Sequence, residues 1–211
     1  MADLFPDSVL LIFCKAPLVG QVKTRLQPAL SAEQAVSVHR QLSLMTLKRA
    51  FAQPLCPVIL YCAPDALHPF FLQCASDYPV ALQVQQGEDL GTRMHHAFTD
   101  ALCQYQHALL MGCDCPSLTA EDLQQALQAL NDGYDAVIAP AEDGGYVLIG
   151  LNKAQPHLFA DMAWSTDQVM KTTRQRAKQL GLNLFELELQ WDVDTIEDWK
   201  RYLSIECQEI K

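Results

Sequence analysis

Basic residues are scarce in this chain. Its 211 residues carry 15 Lys and Arg against 25 Asp and Glu, a formal net charge of −10. Proteins that grip nucleic acid by its phosphates use clustered Lys and Arg, so this balance argues against a nonspecific nucleic-acid binder while leaving room for a local basic pocket. Glycine (9) and proline (11) are also few, which excludes collagen-like, linker and low-complexity chains. No apolar run approaches the roughly 20 residues that cross a bilayer; the first, Val9 to Cys14, stops far short. Met1 to Ser8 contains Asp3 and Asp7 and no Lys or Arg, so the basic start of a signal peptide is missing. The expectation is a cytoplasmic protein with no membrane span. Gly-x-Gly-x-x-Gly and Gly-x-Ser-x-Gly are absent, which removes support for a dinucleotide Rossmann site and for serine hydrolysis of the α/β type.

Cysteine, by contrast, is plentiful, with eight residues. Those at 14, 56, 62, 74, 103 and 207 fall in apolar segments, where a reduced thiol behaves as a small hydrophobe. Cys113 and Cys115 form the only close pair. Without a second Cys or His pair at knuckle spacing, they argue against a structural zinc site.

Half of the residues are apolar, and the apolar runs alternate in period. Strands are predicted at Ser8–Cys14, Val58–Cys62, Ala81–Gln85, Ala108–Met111, Asp135–Ala139, Tyr146–Leu151 and Leu182–Leu189. Helices are predicted from a Ser31 cap with Gln34 completing a capping box, over Ala66–Cys74 and Asp89–Tyr105, and from a Thr119 cap with Asp122. Two more run from a Ser165 cap to about Gln179 and over Thr195–Tyr202. Strand–helix–strand repetition implies right-handed crossovers and a mainly parallel sheet with helices on both faces. The expectation is a single α/β domain over residues 1–211, a three-layer α/β/α sandwich. Its ligands should bind beyond the carboxyl ends of the strands.

Unusual residues gather at those ends. After the first strand, Lys15, Lys23 and Arg25 fall within eleven positions of an acidic protein, in a loop shaped by Pro17 and Gly20 with Thr24 between the two later cations. Loop amides beside Lys and Arg suit a di- or triphosphate. After the third strand, Gly87, Gly91 and Arg93 lie at a helix start that could approach an anion, or form an ordinary capped turn with Asp89. After the fourth, an apolar run ends in Gly112-Cys113-Asp114-Cys115-Pro116. A carboxylate there needs a cation, and a hard divalent ion shared with substrate phosphates is one solution. Asp143-Gly144-Gly145-Tyr146 precedes a strand and can aim a carboxylate and a phenol. Asp192 and Asp194 alternate onto one side of the chain, as second metal ligands or with Asp194 or Thr195 as a helix cap. Trp164 and Ser165 could shape an acceptor side or simply pack and cap. His95-His96 has no carboxylate at ligand spacing and reads as a solvated face.

Taken in order, Phe13-Cys14-Lys15-Ala16-Pro17, Gly20, Val22-Lys23-Thr24-Arg25-Leu26, Gly87, Leu90-Gly91, Arg93-Met94, Gly112, Asp114 and Pro116 resemble a bacterial family of GT-A-type proteins. That family lies within the nucleotide-diphospho-sugar transferase superfamily. Ala139-Pro140, Asp143 to Tyr146, Leu148 to Leu151, Trp164 to Thr166, Asp192 to Thr195 and Glu197-Asp198 carry the resemblance to the chain's end. It implies a Rossmann-like GT-A sheet, a nucleotide pocket and a divalent metal, magnesium or manganese, on Asp114. The usual Asp-x-Asp is here Asp114-Cys115-Pro116, so Asp192 or Asp194 is expected to supply the second carboxylate. The implied partners are a nucleotide sugar or a nucleoside triphosphate, and a small acceptor met by Asp143, Gly144, Gly145, Tyr146 and Trp164. Asp143 is a candidate base. A nucleotide-sugar glycosyltransferase is expected first, because the first loop has only Gly20 where a longer Gly-rich loop would suit a pyrophosphate-releasing nucleotidyltransferase. A non-catalytic nucleotide-binding protein is the third reading.

Overall fold

A computed structural model describes residues 2–27 and 29–209, with side chains to residue 205; the expectation for Cys207 lies outside the described side chains. The first strand, β1 (Ser8–Lys15), is buried along all but its last residue. It pairs in parallel with β2 (Val58–Ala63) on one side and β4 (His107–Met111) on the other. With β3 (Ala81–Val84), β5 (Ala136–Pro140), β6 (Tyr146–Leu151) and β7 (Leu184–Glu186), the sheet runs β3-β2-β1-β4-β6-β5-β7.

Alternation along each strand sends apolar residues to two cores. Leu10, Ile12 and Cys14 of β1, with Leu109 and Met111 of β4, face one side. There α1 (Ala32–Ala50), α2 (Pro69–Asp77) and α4 (Ala120–Asn131) cover them. Val9, Leu11 and Phe13, with Ala108 and Leu110, face α3 (Leu90–Leu102), α5 (Pro156–Phe159) and α6 (Val169–Gln179). Each such Leu, Ile or Phe contributes roughly 1.5–3 kcal/mol by leaving water. A third cluster joins Val38 and Leu42 of α1 to Trp191, Val193 and Tyr202, seating α7 (Ile196–Glu209). The result is the three-layer sandwich the alternation implied. Among the described residues, no helix is long and apolar enough to cross a membrane.

Both capping boxes form as expected. Ser31 accepts from the Gln34 amide and Thr119 from the Asp122 amide, and in each case the later side chain returns a bond. Within the mainly parallel sheet that was expected, the β6 strand is antiparallel to both neighbours, because the turn joining it to β5 is too short for a crossover. Three expectations need correction. The second helix starts later than Ala66, with Pro69 in its first turn and His68 as cap. Ser165 caps nothing: α6 begins at Val169, and its Met170 amide donates instead to the Gly144 carbonyl (2.8 Å). The last strand shrinks to Leu184–Glu186, since it is an edge strand held by β5 alone.

Gly150 marks a close approach of β6 to α4. A Cβ there would lie 3.0 Å from Leu130 Cδ1 and closer still to Leu109 Cδ2. Gly150→Val is expected to destabilise the fold by about 1–3 kcal/mol through overpacking. In urea unfolding the midpoint should fall with the slope unchanged; an unaltered midpoint would refute the close packing.

Candidate active site

The carboxyl ends of β1 and β4 open onto a cleft of about 600 Å³. Its floor is apolar, with Phe13, Leu110 and Ile149 from the sheet and Met94 from α3. Tyr146 and Trp164 form an aromatic wall, their rings edge to face at 6.3 Å. Asp114, Asp143, Asp167, Asp192 and Asp194 line the cleft, with Lys15 and Arg25 among them.

The loop after β1 is shaped from both ends. Gly20 has φ +77°, Val22 and Leu26 are buried, and Lys23 sits in the left-handed region at φ 48° before a 3-10 turn over Thr24–Leu26. This backbone drives the Lys23 side chain inward, leaving it 5% exposed. Its ammonium donates to Asp114 Oδ2 (2.7 Å) and to the Val193 carbonyl (2.5 Å). The Val193 amide in turn donates to the Asp114 carbonyl (3.0 Å). Arg25 pairs with Asp194. The loop cations and the strand-end acids therefore meet, although 91 residues separate Lys23 from Asp114.

The segment carrying Asp192 and Asp194 is stitched to its neighbours. Gln190 bridges to Ala141 beyond β5. Ser117 Oγ donates to the Trp191 carbonyl (3.1 Å) and accepts from its amide (2.9 Å). Arg49 donates to the carbonyls of Cys115 (2.9 Å) and Pro116 (2.8 Å), fixing the loop beyond Asp114. Capping falls to Thr195 and Asp198: the Thr195 amide donates to Asp198 Oδ2 (2.7 Å), and the Asp198 amide to Thr195 Oγ1 (3.4 Å). That leaves the carboxylates of Asp192 and Asp194 facing the cleft.

Electrostatics divide these acids. Burial opposes the Lys23 charge, but Asp114 outweighs it and holds the ammonium above its ordinary value. Burial likewise raises Asp114, and Lys23 more than reverses it, so this carboxylate stays below the usual range. Asp192 has no such partner. Burial, then the charges of Asp114 and Asp143, push it up to about 7. Asp192 makes no hydrogen bond or ion pair among the described residues. An unpaired acid crowded by acids is where a hard cation would be stabilised, so the donor set fits magnesium or manganese. The carboxylates do not converge into a cage: among the described residues, the one group of three metal-ligating atoms lying within 4.8 Å of one another is made of sulfur and nitrogen.

Asp143 Oδ1 accepts from the Gly145 amide (2.8 Å), curling the turn toward the cleft. Gly144 has φ +86°, and a Cβ there would meet the Asp167 backbone. Pro17 is buried, while Gly20 and Thr24 are exposed on the loop outside the cleft. Gly87 and Arg93 stand apart from the cleft: Arg93 Nε donates to the Gly87 carbonyl (2.9 Å). Arg93 also lines a separate depression of about 200 Å³ with Lys15, Gln21 and Pro64. Asp89 already fills that helix start, accepting from the Thr92 amide (2.8 Å). Gly91 faces Phe159 and Trp164, with a Cβ placed 2.7 Å from the Phe159 carbonyl and 3.0 Å from Trp164 Nε1. Sequence reasoning missed Asp167 and Met94 as lining residues; Asp167, just past Trp164-Ser165-Thr166, was the legible one.

With this geometry in hand, comparisons place the chain. Residues 46–166 match the family described as "Uncharacterized protein conserved in bacteria (DUF2064)". The chain is similar to a crystal structure from Desulfovibrio desulfuricans G20, provisionally named a nucleotide-diphospho-sugar transferase. Identity is 33% and the TM-score 0.83, over 91% of this chain and 84% of that one. The fold is shared with a CMP:2-keto-3-deoxy-manno-octonic acid synthetase complexed with CTP (12% identity, TM-score 0.61, 96% and 99% covered). It is also shared with the 4-diphosphocytidyl-2C-methyl-D-erythritol synthase of Anaerococcus prevotii DSM 20548 (12% identity, TM-score 0.59, 91% and 93% covered). No curated protein matches the chain.

Two outcomes test the geometry. Lys23→Met should cost about 2 kcal/mol, less than the roughly 3–5 kcal/mol of breaking a fully buried pair, because the cleft solvates part of Asp114. Adding Asp114→Ala to it should cost little more, so additive losses in a double-mutant cycle would show the two uncoupled. Gly144→Ala should lower stability by about 2 kcal/mol, from left-handed strain of roughly 1–2 kcal/mol plus the clash with Asp167. A neutral result in thermal unfolding would mean the two turns are not docked.

Proposed function

The chain belongs to this bacterial family, DUF2064, and we propose that it is a metal-dependent transferase acting on a nucleotide-activated donor, with nucleotide-sugar glycosyl transfer as its reaction. The observation that carries the reading is the pairing of Lys23 with Asp114 and of Arg25 with Asp194, of which Asp114, Arg25 and Asp194 line one cleft while Lys23 lies buried behind Asp114. A diphosphate needs cations, and a divalent ion needs carboxylates. Both sets stand here within one ion-pair distance, each satisfying the other until a ligand arrives.

In this reading Lys15, Lys23 and Arg25 take the donor's diphosphate. Lys23 exchanges a carboxylate for a phosphate oxygen, keeping the Val193 carbonyl as its second acceptor. Asp114, with Asp192 and Asp194, would hold magnesium or manganese, which when bound supplies Lewis-acid stabilisation of charge on the leaving phosphate. Asp143 faces the acceptor, where it takes a hydroxyl proton. The Gly145 amide holds that carboxylate in place. Tyr146 and Trp164 form the apolar wall that excludes water from the acceptor side. Burial raises the Tyr146 phenol, so it stays protonated and acts as a hydrogen-bond donor and a packing surface, not as a base. The likeness to the Desulfovibrio protein supports a nucleotide-sugar donor.

Nucleotidyl transfer is the second reading, favoured by the fold shared with a synthetase complexed with CTP. Thermal unfolding with nucleotide sugars and nucleoside triphosphates, each with and without manganese, separates the readings. A ligand at 100 times its Kd should add about 2.7 kcal/mol of stability. The proposal expects that gain from a nucleotide sugar only with metal present, and its loss in Asp114→Asn without unfolding. Pyrophosphate release from a triphosphate would establish the second reading, and no response to any nucleotide would reject both.

A further inference from the structure

On the opposite face of the sheet from the cleft, three residues never used by the proposed chemistry converge. Cys14 ends the buried part of β1, and Cys113 follows β4. The last β1–β4 register pair is Ile12 with Met111; Cys14 lies two residues further along β1, and Cys113 two residues past Met111 in the turn after β4. His39 reaches them from α1, itself 5% exposed. One ligand atom from each of the three lies within 4.8 Å of the other two. Cys14 Sγ and His39 Nε2 are 3.9 Å apart.

We propose that Cys14, His39 and Cys113 form a binding site for a thiophilic transition-metal ion, zinc in the first instance. Zinc takes sulfur at about 2.3 Å and imidazole nitrogen at about 2.0–2.1 Å, which sets tetrahedral ligand atoms roughly 3–4 Å apart. The present spacing needs only a small closure. The donors come from the end of β1, the turn just past β4 and α1, so the site is built before the ion enters. Soft sulfur and imidazole donors select zinc over magnesium, which the carboxylates of the cleft suit.

Charge balance favours the ion at this depth. Both thiols lose their protons to solvent, and two thiolates with a neutral imidazole cancel the ion's double charge. The buried site therefore gains no net charge. His39 Nε2 now contacts the Lys15 carbonyl (2.8 Å). Metal ligation through Nε2 moves the imidazole proton to Nδ1 and replaces that hydrogen bond. Ser43 Oγ lies 3.5 Å from Cys14 Sγ, an oxygen on hand for the fourth position. Because Cys14 precedes Lys15 and Cys113 precedes Asp114, an ion here would clamp the strand ends that present both halves of the cleft.

The test uses the full-length protein stripped of metal and titrated with zinc chloride, then with cobalt chloride as a spectroscopic probe. Expected are one zinc per chain, release of about two protons per ion, and a thiolate-to-cobalt charge-transfer band. Cys113→Ser and His39→Gln should each weaken zinc by more than about 100-fold, beyond the roughly 10–100-fold of losing an outer hydrogen-bond partner. Asp114→Asn should retain zinc, which keeps this result separate from the fate of the proposed transferase activity. Wild-type protein that binds cobalt without the thiolate band, or binds neither ion, overturns the proposal whether or not the variants fold. Loss of zinc in Asp114→Asn with retention in Cys113→Ser would place the ion in the acidic cleft and overturn it equally.

Discussion

The structure turns on a buried ammonium. Lys23 reaches inward from a left-handed backbone position and meets Asp114 and the Val193 carbonyl at once. Three stretches far apart in sequence depend on that meeting: the loop after β1, the end of β4 and the segment before α7. Either charge is costly there alone. Taken together they hold each other ionised, at a place where strand ends deliver them to a shared cleft.

The same physics explains why the cleft suits exchange of partners. Asp114 and Asp194 are each neutralised by a loop cation, whereas Asp192 is not and its carboxyl is driven up to about 7. In the proposed reaction the incoming diphosphate and divalent ion take over both roles together. Cations turn to phosphate and carboxylates to metal, and no charge is left bare. The apolar floor beneath keeps the local dielectric low, which strengthens each of these contacts.

Much of this was readable in the sequence. An acid ending an apolar strand is costly, so Asp114 stood out, as did three cations clustered in an acidic chain. The capping boxes at Ser31 and Thr119 declare themselves by spacing. The alternation of Asp192 and Asp194 puts both on one side of the chain, whereas the cap of α7 is decided by the bond between Thr195 and Asp198, which spacing alone does not fix. What stayed hidden was whatever depends on register or on direction. The antiparallel course of β6 is the exception, since its short turn leaves no room for a crossover. The meeting of Cys14, His39 and Cys113 is not legible, since it requires the β1–β4 register and the rotation of α1 together. Gly91 shows the same limit: a glycine at a helix start reads as room for an anion, and here it makes room for Phe159 and Trp164.

The central claim is that loop cations and strand-end acids serve one diphosphate–metal unit, so the two ligands must bind as partners. Manganese affinity measured by electron paramagnetic resonance, with and without a saturating nucleoside diphosphate and with allowance for the complex they form in solution, tests it most directly. The account predicts mutual strengthening of about tenfold or more, within the usual range of coupling between sites. Independent binding of the two, or nucleotide binding that is indifferent to manganese, would contradict it.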